Sequence, residues 1–221
     1  MLKQIFTLTP LFLALVACSD QEAATTVASN DAGNAQQTVT YQLTPNAEQR
    51  FDIYTDYELT TDLSHLSADQ KQMLSLLIDA AKIMDELFWR QAFPRDKNEF
   101  LAALPESAKA FGQINYGPWD RLNGNEPFVR EFSDKPAGAN FYPADMSKQE
   151  FEAFDSESKR SLYTLIRRDD NGQLTTVPYS SAYQQQLTKA SELLRQAADL
   201  AESQAFANYL RLRANAFLND D

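Results

Sequence analysis

Behind Ser67-Ala68-Asp69-Gln70, the residues Met73, Leu76, Leu77, Ala80, Met84, Leu87 and Phe88 recur at three- and four-residue spacing. Leu74, Ile78 and Ala81 widen that stripe. The Ser-x-x-Gln start is a capping box, in which the serine oxygen and the glutamine side chain satisfy backbone N–H groups that a helix end leaves unpaired. A stripe this wide cannot belong to a helix with one dry face. It predicts a helix of about 25 residues buried on more than one side, around which the rest of the chain must assemble. Pro94 lacks an N–H and clashes with the preceding turn, so it should end this helix.

The remaining pattern is mainly α, with one small β-hairpin and a long loop rich in Gly, Pro and aromatics. A shorter helix is expected from about Lys97 to Phe111. A second capping box, Ser147 to Glu150, opens a helix over Lys148 to Phe154. Ser161 to Arg168 and Gln173 to Val177 flank Asp170-Asn171-Gly172, whose Asn-Gly suits a tight hairpin turn. From Ala182 to the end the pattern is helical again. Tyr183, Leu187, Ala190, Leu194 and Ala197 form one stripe, and Phe206, Tyr209, Leu210 and Phe217 a second.

Charge and composition limit the chemistry. The 221 residues carry 20 Lys+Arg against 31 Asp+Glu, a formal charge of −11. No basic surface is available to neutralise phosphates, so nucleic acid is not an expected partner. One Cys excludes an internal disulfide framework and a cysteine-based zinc site, and one His excludes the HExxH helix.

The N-terminus reads as an export and lipidation signal. Lys3 is followed by a short apolar stretch, Ile5 to Val16, too short to span a bilayer. It ends Leu15-Val16-Ala17-Cys18, which resembles the bacterial lipobox. That resemblance implies cleavage before Cys18 and a diglyceride on its sulfur, so the membrane is the expected partner through Cys18. Ser19 in the next position resembles outer-membrane sorting. The expected location is the bacterial cell envelope, lipid-anchored, periplasm-facing, at the outer membrane. Ser19 to Thr40 holds no aromatic, Leu, Ile, Lys or Arg. It cannot bury enough apolar surface to offset ordering, so it is expected to be a flexible tether reaching roughly 25 Å. The organisation expected is a signal peptide at 1–17, a lipidated Cys and tether at 18–40, and a mainly helical region at 41–221.

Phe111 to Asp145 holds four of the six Gly, four of the nine Pro and seven aromatics. A loop of this length is either a functional segment or a cover packed on the core. Elsewhere, Asp62, Ser64 and His65 supply the residue types of a triad, but adjacency does not supply its geometry, and a turn at the helix start is the plainer reading. Asp85 falls on a helix face beside the apolar stripe, as a carboxylate with a shifted pKa in a cleft or as one bonded to a nearby backbone or Arg. Glu86 is spaced to pair with Lys82 and Arg90, and Arg167-Arg168-Asp169-Asp170 reads as a solvated hairpin end.

Five words in order carry a family resemblance: Leu63-Ser64-His65-Leu66-Ser67, Met84-Asp85-Glu86-Leu87-Phe88-Trp89, Ile114-Asn115-Tyr116-Gly117-Pro118-Trp119-Asp120-Arg121-Leu122, Gly138-Ala139-Asn140-Phe141-Tyr142-Pro143-Ala144-Asp145-Met146 and Val177-Pro178-Tyr179-Ser180. Over roughly residues 45 to 221 these resemble bacterial members of the dipeptidyl peptidase III family. The resemblance implies part of a larger two-lobed zinc metallopeptidase that removes dipeptides from peptide N-termini, with peptides as partners. The family's HExxGH zinc helix has no match here, so no catalytic or metal-ligating residue is carried over, and zinc is implied only for the full-length family. The expectation is an N-terminal portion of such an enzyme. Its candidate peptide-cleft or cover residues are Asn115, Tyr116, Trp119, Asn140 and Tyr142. The alternative is a stand-alone, non-catalytic helical lipoprotein acting as a binding module.

Overall fold

The structure, a computed structural model, describes residues 40–221. The signal peptide, Cys18 and all of the tether but Thr40 lie outside the described residues. Tyr41 joins the fold directly. Its N–H donates to the Ala103 carbonyl at 2.8 Å, and Leu43 forms a bridge to Val129. A short 3-10 helix, Ala47–Ile53, follows.

The long helix α1 spans Ala68–Ala92, and both bonds of the capping box at Ser67 and Gln70 are made. It stops where expected: Phe93 is extended, with its N–H returning to the Trp89 carbonyl. The helix expected over Lys97–Phe111 is two. α2 covers Lys97–Ala103, capped by Asp96, and α3 covers Glu106–Asn115. Pro105 makes the break, because a residue before proline is pushed out of the helical region; Leu104 sits at φ −73°, ψ 144°. Gly112 of α3 lies so close to α2 that an added Cβ would stand 2.6 Å from Leu104 Cδ1.

Two small antiparallel sheets are present. The unexpected one pairs β1 (Trp119–Asp120) with β2 (Glu126–Pro127) inside the Gly- and Pro-rich segment. Two-residue strands leave no alternating pattern to read. Helix α4, Lys148–Ala153, is capped by Ser147 alone. Glu150 does not complete that box, because both its oxygens are taken by Arg168 at 2.7 and 3.0 Å. The expected hairpin pairs β3 (Thr164–Arg168) with β4 (Leu174–Pro178), in register from Thr164–Pro178 to Arg168–Leu174. Asp169 Oδ1 closes its turn by accepting from the N–H groups of Asn171 and Gln173.

A single turn, α5 (Tyr179–Ala182), leads into α6 (Gln184–Asp199) and α7 (Gln204–Asn219). The helical pattern read from Ala182 onward is interrupted at Leu200–Ser203, where Ser203 caps α7. The end of α7 is fastened to α5, since Asp220 accepts from both the N–H and the hydroxyl of Ser180.

Three buried clusters hold the described region. One is aromatic: Trp89, Phe93, Phe100, Phe111, Trp119 and Phe128, with Val129 and Ala108 fully enclosed. Ring pairs run through it, Phe93–Phe100 at 4.9 Å and Phe111–Phe128 at 5.0 Å among them. The second is alanine-rich, where Ala80, Ala197, Ala207 and Ala214 let α1, α6 and α7 approach closely. The third joins Leu87 to Leu165, Tyr183 and Leu187. Truncating Phe100, which is 1% exposed, to Ala should destabilise by about 3–5 kcal/mol, against about 1 kcal/mol for Ser67→Ala at the cap. Denaturant unfolding of the two variants checks that order.

Candidate functional site

The loop residues singled out from sequence have separate duties. Asn115 is buried; its amide donates to the Phe111 carbonyl at 2.9 Å and its oxygen accepts from the Arg121 N–H at 2.9 Å. Trp119 is buried in the aromatic cluster, with its indole N–H on the Ser133 carbonyl at 2.9 Å. Asn140 ties the loop to the last turns of α1, donating to the carbonyls of Arg90 and Gln91. Tyr142 lies edge-on to Phe151 at 6.0 Å. Gly138 (φ 78°) leaves room for that ring, since a Cβ there would stand 2.4 Å from Tyr142 Cδ2. Segment 111–145 thus contributes Phe111, Trp119, Phe128 and Val129 to the core and covers α1.

Tyr116 is different. It ends α3 in the left-handed region, at φ 55° and ψ 42°, a conformation uncommon outside glycine and asparagine. This turns its ring onto α1, 4.6 Å from Phe88 and 5.2 Å from Trp89. Its hydroxyl donates to Asp85 Oδ1 at 2.5 Å. The Arg121 guanidinium lies over both the Phe88 and Tyr116 rings. The bond to Asp85, followed by burial, pushes the Tyr116 phenol above its ordinary range. A groove of about 440 Å³ opens here, lined by Asp85, Trp89, Ala110, Gln113, Ile114 and Tyr116. Asp85 and Trp89 also line the next groove, of about 530 Å³, shared with Glu86, Arg90, Arg95 and Lys97. Neither Asn140 nor Tyr142 lines either one. A carboxylate, a phenol and flat aromatic faces can hold peptide amides or an ammonium group, but they offer no activated nucleophile.

Of the other expectations, some are met and some corrected. Asp85 is exposed and its partner is a tyrosine, not a backbone group or an arginine. Glu86 pairs with Arg90 at 2.7 Å, whereas Lys82 turns to Asp79 at 2.9 Å. No triad forms: Ser64 is bonded to Asp62 through its N–H and its hydroxyl, and His65 is exposed without a side-chain bond to either. Arg167 and Arg168 are half-buried struts rather than a solvated end. Arg167 donates to the carbonyls of Asn140, Phe141 and Ile166. Arg168 grips Asp145, Glu150 and the Gly172 carbonyl, and holds the Glu150 carboxyl below its ordinary range. A single sequence carries no signal that this pair faces inward.

A second cleft, of about 340 Å³, is more apolar. Met84, Leu87, Tyr163, Tyr179, Tyr183 and Phe217 are among its walls, and burial pushes the Tyr179 phenol up to about 12. Among the described residues no three His, Cys, Asp or Glu side chains gather to hold a metal ion. The side chains described here therefore do not fit a zinc site.

This fold is similar to part of two solved dipeptidyl-peptidase III structures. The chain matches dipeptidyl-peptidase III (DPP III) from Caldithrix abyssi at 36% identity and TM-score 0.67, over 76% of this chain and 34% of that one. It matches dipeptidyl-peptidase III from Corallococcus sp. strain EGB at 31% identity and TM-score 0.70, over 80% of this chain and 35% of that one. The resemblance read from the five words is therefore met in three dimensions, and the chain is DPP III-like. It spans about a third of the length of each of those structures. It is also 27% identical to Nudix hydrolase 3 of Arabidopsis thaliana, over 79% of this chain and 31% of that protein. No protein-family profile matches.

The Tyr116–Asp85 bond has a measurable consequence. A phenol whose folded-state pKa is raised lends stability that is complete below the ordinary value near 10 and is lost as pH rises through the raised value. In absorbance titration at 295 nm, the difference between wild type and Tyr116→Phe should show one phenol ionising late. Asp85→Asn should bring that step back toward 10, and a step that stays put would remove Asp85 as its cause.

Proposed function

We propose that this chain is the peptide-handling part of an exported, lipid-anchored, zinc-dependent dipeptidyl peptidase III-like metallopeptidase, which removes dipeptides from peptide N-termini. The observation that carries this reading is the likeness to two solved dipeptidyl-peptidase III structures at 31–36% identity over three quarters of the chain or more. The Nudix hydrolase relative is less similar, at 27% identity, and no activity is taken from it. On this reading the zinc and its general base come from sequence that this chain does not include, and no catalytic step is assigned to its own residues. Their part is to bind and orient. The groove at Asp85, Trp89 and Tyr116 offers an extended peptide a hydrogen-bond acceptor and aromatic surface. The lipobox-like Leu15-Val16-Ala17-Cys18 supports anchoring at the envelope face toward the periplasm.

The test compares the 221-residue chain with the product of its gene read past codon 221. The short chain is expected to hold no stoichiometric zinc by elemental analysis and to release nothing from a dipeptidyl arylamide, while a continued product does both. Activity from the short chain alone would overturn the assignment of roles. Independently, Cys18→Ala should abolish incorporation of labelled palmitate and move the protein from the membrane to the soluble fraction.

A further inference from the structure

A cleft of about 310 Å³ lies where the end of α1 meets the hairpin and α5. Its walls include Arg90, Arg95, Arg167, Asn140, Tyr183 and Leu165. Three arginines therefore line one space in a chain of net charge −11. Their partners are unevenly shared. Arg90 is tied to Glu86 at 2.7 Å and, with the Gln186 amide turned to suit, donates to that side-chain oxygen. Arg167 spends both terminal nitrogens on the carbonyls of Asn140, Phe141 and Ile166, which fix it but do not neutralise it. Arg95 makes no side-chain hydrogen bond among the described residues, and its guanidinium lies 4.6 Å from the centre of the Phe132 ring. Among the described residues neither Arg95 nor Arg167 has a carboxylate within ion-pair distance, although acids outnumber bases 31 to 20.

Chance pairing in so acidic a chain would place carboxylates against these cations first. Asp96, next to Arg95 in the chain, is instead spent on capping α2 through the N–H groups of Asn98 and Glu99. The apolar floor of Phe93 and Leu165 lowers the local dielectric, which strengthens any charge-assisted bond made above it. Burial pushes the Tyr183 phenol above its ordinary range, and the nearby Arg167 and Arg90 charges oppose that rise.

We infer that this cleft is an oxyanion-binding site, in which the planar fork of Arg95 meets two oxygens of a carboxylate or phosphate while Arg167, fixed on its carbonyls without a counter-charge, supplies the positive wall. Planar guanidinium suits both anions, as two parallel N–H donors match two oxygens. The inference stands apart from the peptidase reading, since it rests on the lining of this cleft and on Arg95 and Arg167 having no carboxylate within ion-pair distance among the described residues.

Calorimetric titration of the full 221-residue chain at low salt tests it, with two probes. One is inorganic phosphate. The other is the capped peptide N-acetyl-Ala-Glu-amide, with its Gln counterpart as control. Binding of either anion, weakening as salt is raised, is the expected result. Phosphate binding alone assigns the site to phosphates, and binding of the Glu peptide but not the Gln peptide assigns it to peptide carboxylates. Arg95→Gln should weaken binding about tenfold, as the loss of one charge-assisted bond requires. Arg95 touches only a ring face, so its melting curve should be retained. If it is not, Arg95→Lys, which keeps the charge and loses the fork, should still weaken binding. Wild type that binds neither probe overturns the site, and so do Arg95 variants that bind as tightly as wild type.

Discussion

Every buried cluster of the described region takes a residue from α1. Trp89 enters the aromatic cluster, Ala80 the alanine seam with α6 and α7, and Leu87 the patch under the β3–β4 hairpin. Ala80 and Leu87 lie two turns apart on one face of α1 and serve two clusters from it, while Trp89 points to the third from another side. The stripe is narrower than the sequence suggests, because Ile78, Ala81 and Phe88 are exposed. The two ends of α1 are held closely. At the start Ser67 and Gln70 exchange capping bonds, and at the finish Pro94 turns the chain away so that Phe93 can drop into the aromatic core at 1% exposure.

The loop around α1 is held by a different kind of force. Segment 111–145 has little regular structure to satisfy its backbone, so polar side chains do that work. Asn115 closes the turn after α3, Asn140 reaches the last carbonyls of α1, and Arg167 reaches across from the hairpin to the carbonyls of Asn140 and Phe141. Arg168 does the same for the next stretch through Asp145 and Glu150. The bonds of Asn140, Arg167 and Arg168 to these partners join parts of the chain 18 or more residues apart, whereas those of Asn115 are local. The hairpin acts as a clamp, setting the stretch from Asn140 to Glu150 against the end of α1.

This division explains what could be read in advance. Capping, periodicity and turn chemistry are local, so α1, the hairpin and the two C-terminal stripes were legible from residues a few places apart. Pro105 was legible too, but the apolar run across it masked the break between α2 and α3. The second sheet was not, because two-residue strands carry no pattern. The site was harder still. Tyr116 and Asp85 are 31 residues apart, and only the left-handed turn at Tyr116 brings phenol to carboxylate. The inward-facing arginines of the hairpin looked like solvated charge for the same reason: a charged pair beside a turn has one composition whether it faces water or a carbonyl.

The arginines also change how the net charge should be understood. A total of −11 excludes a broad basic surface, and that exclusion stands for nucleic acid. It does not exclude a local reversal of sign, because charge inside a cleft is screened less than charge outside it. Here the reversal is built from two needs that coincide. Arg167 must point inward to hold the loop carbonyls, and Arg90 must sit on α1 one turn from Glu86. Arg95 follows directly from the Pro94 stop, which fixes where the chain emerges. Three structural placements thus converge on one space, and the charge gathered there is a consequence of how α1 ends.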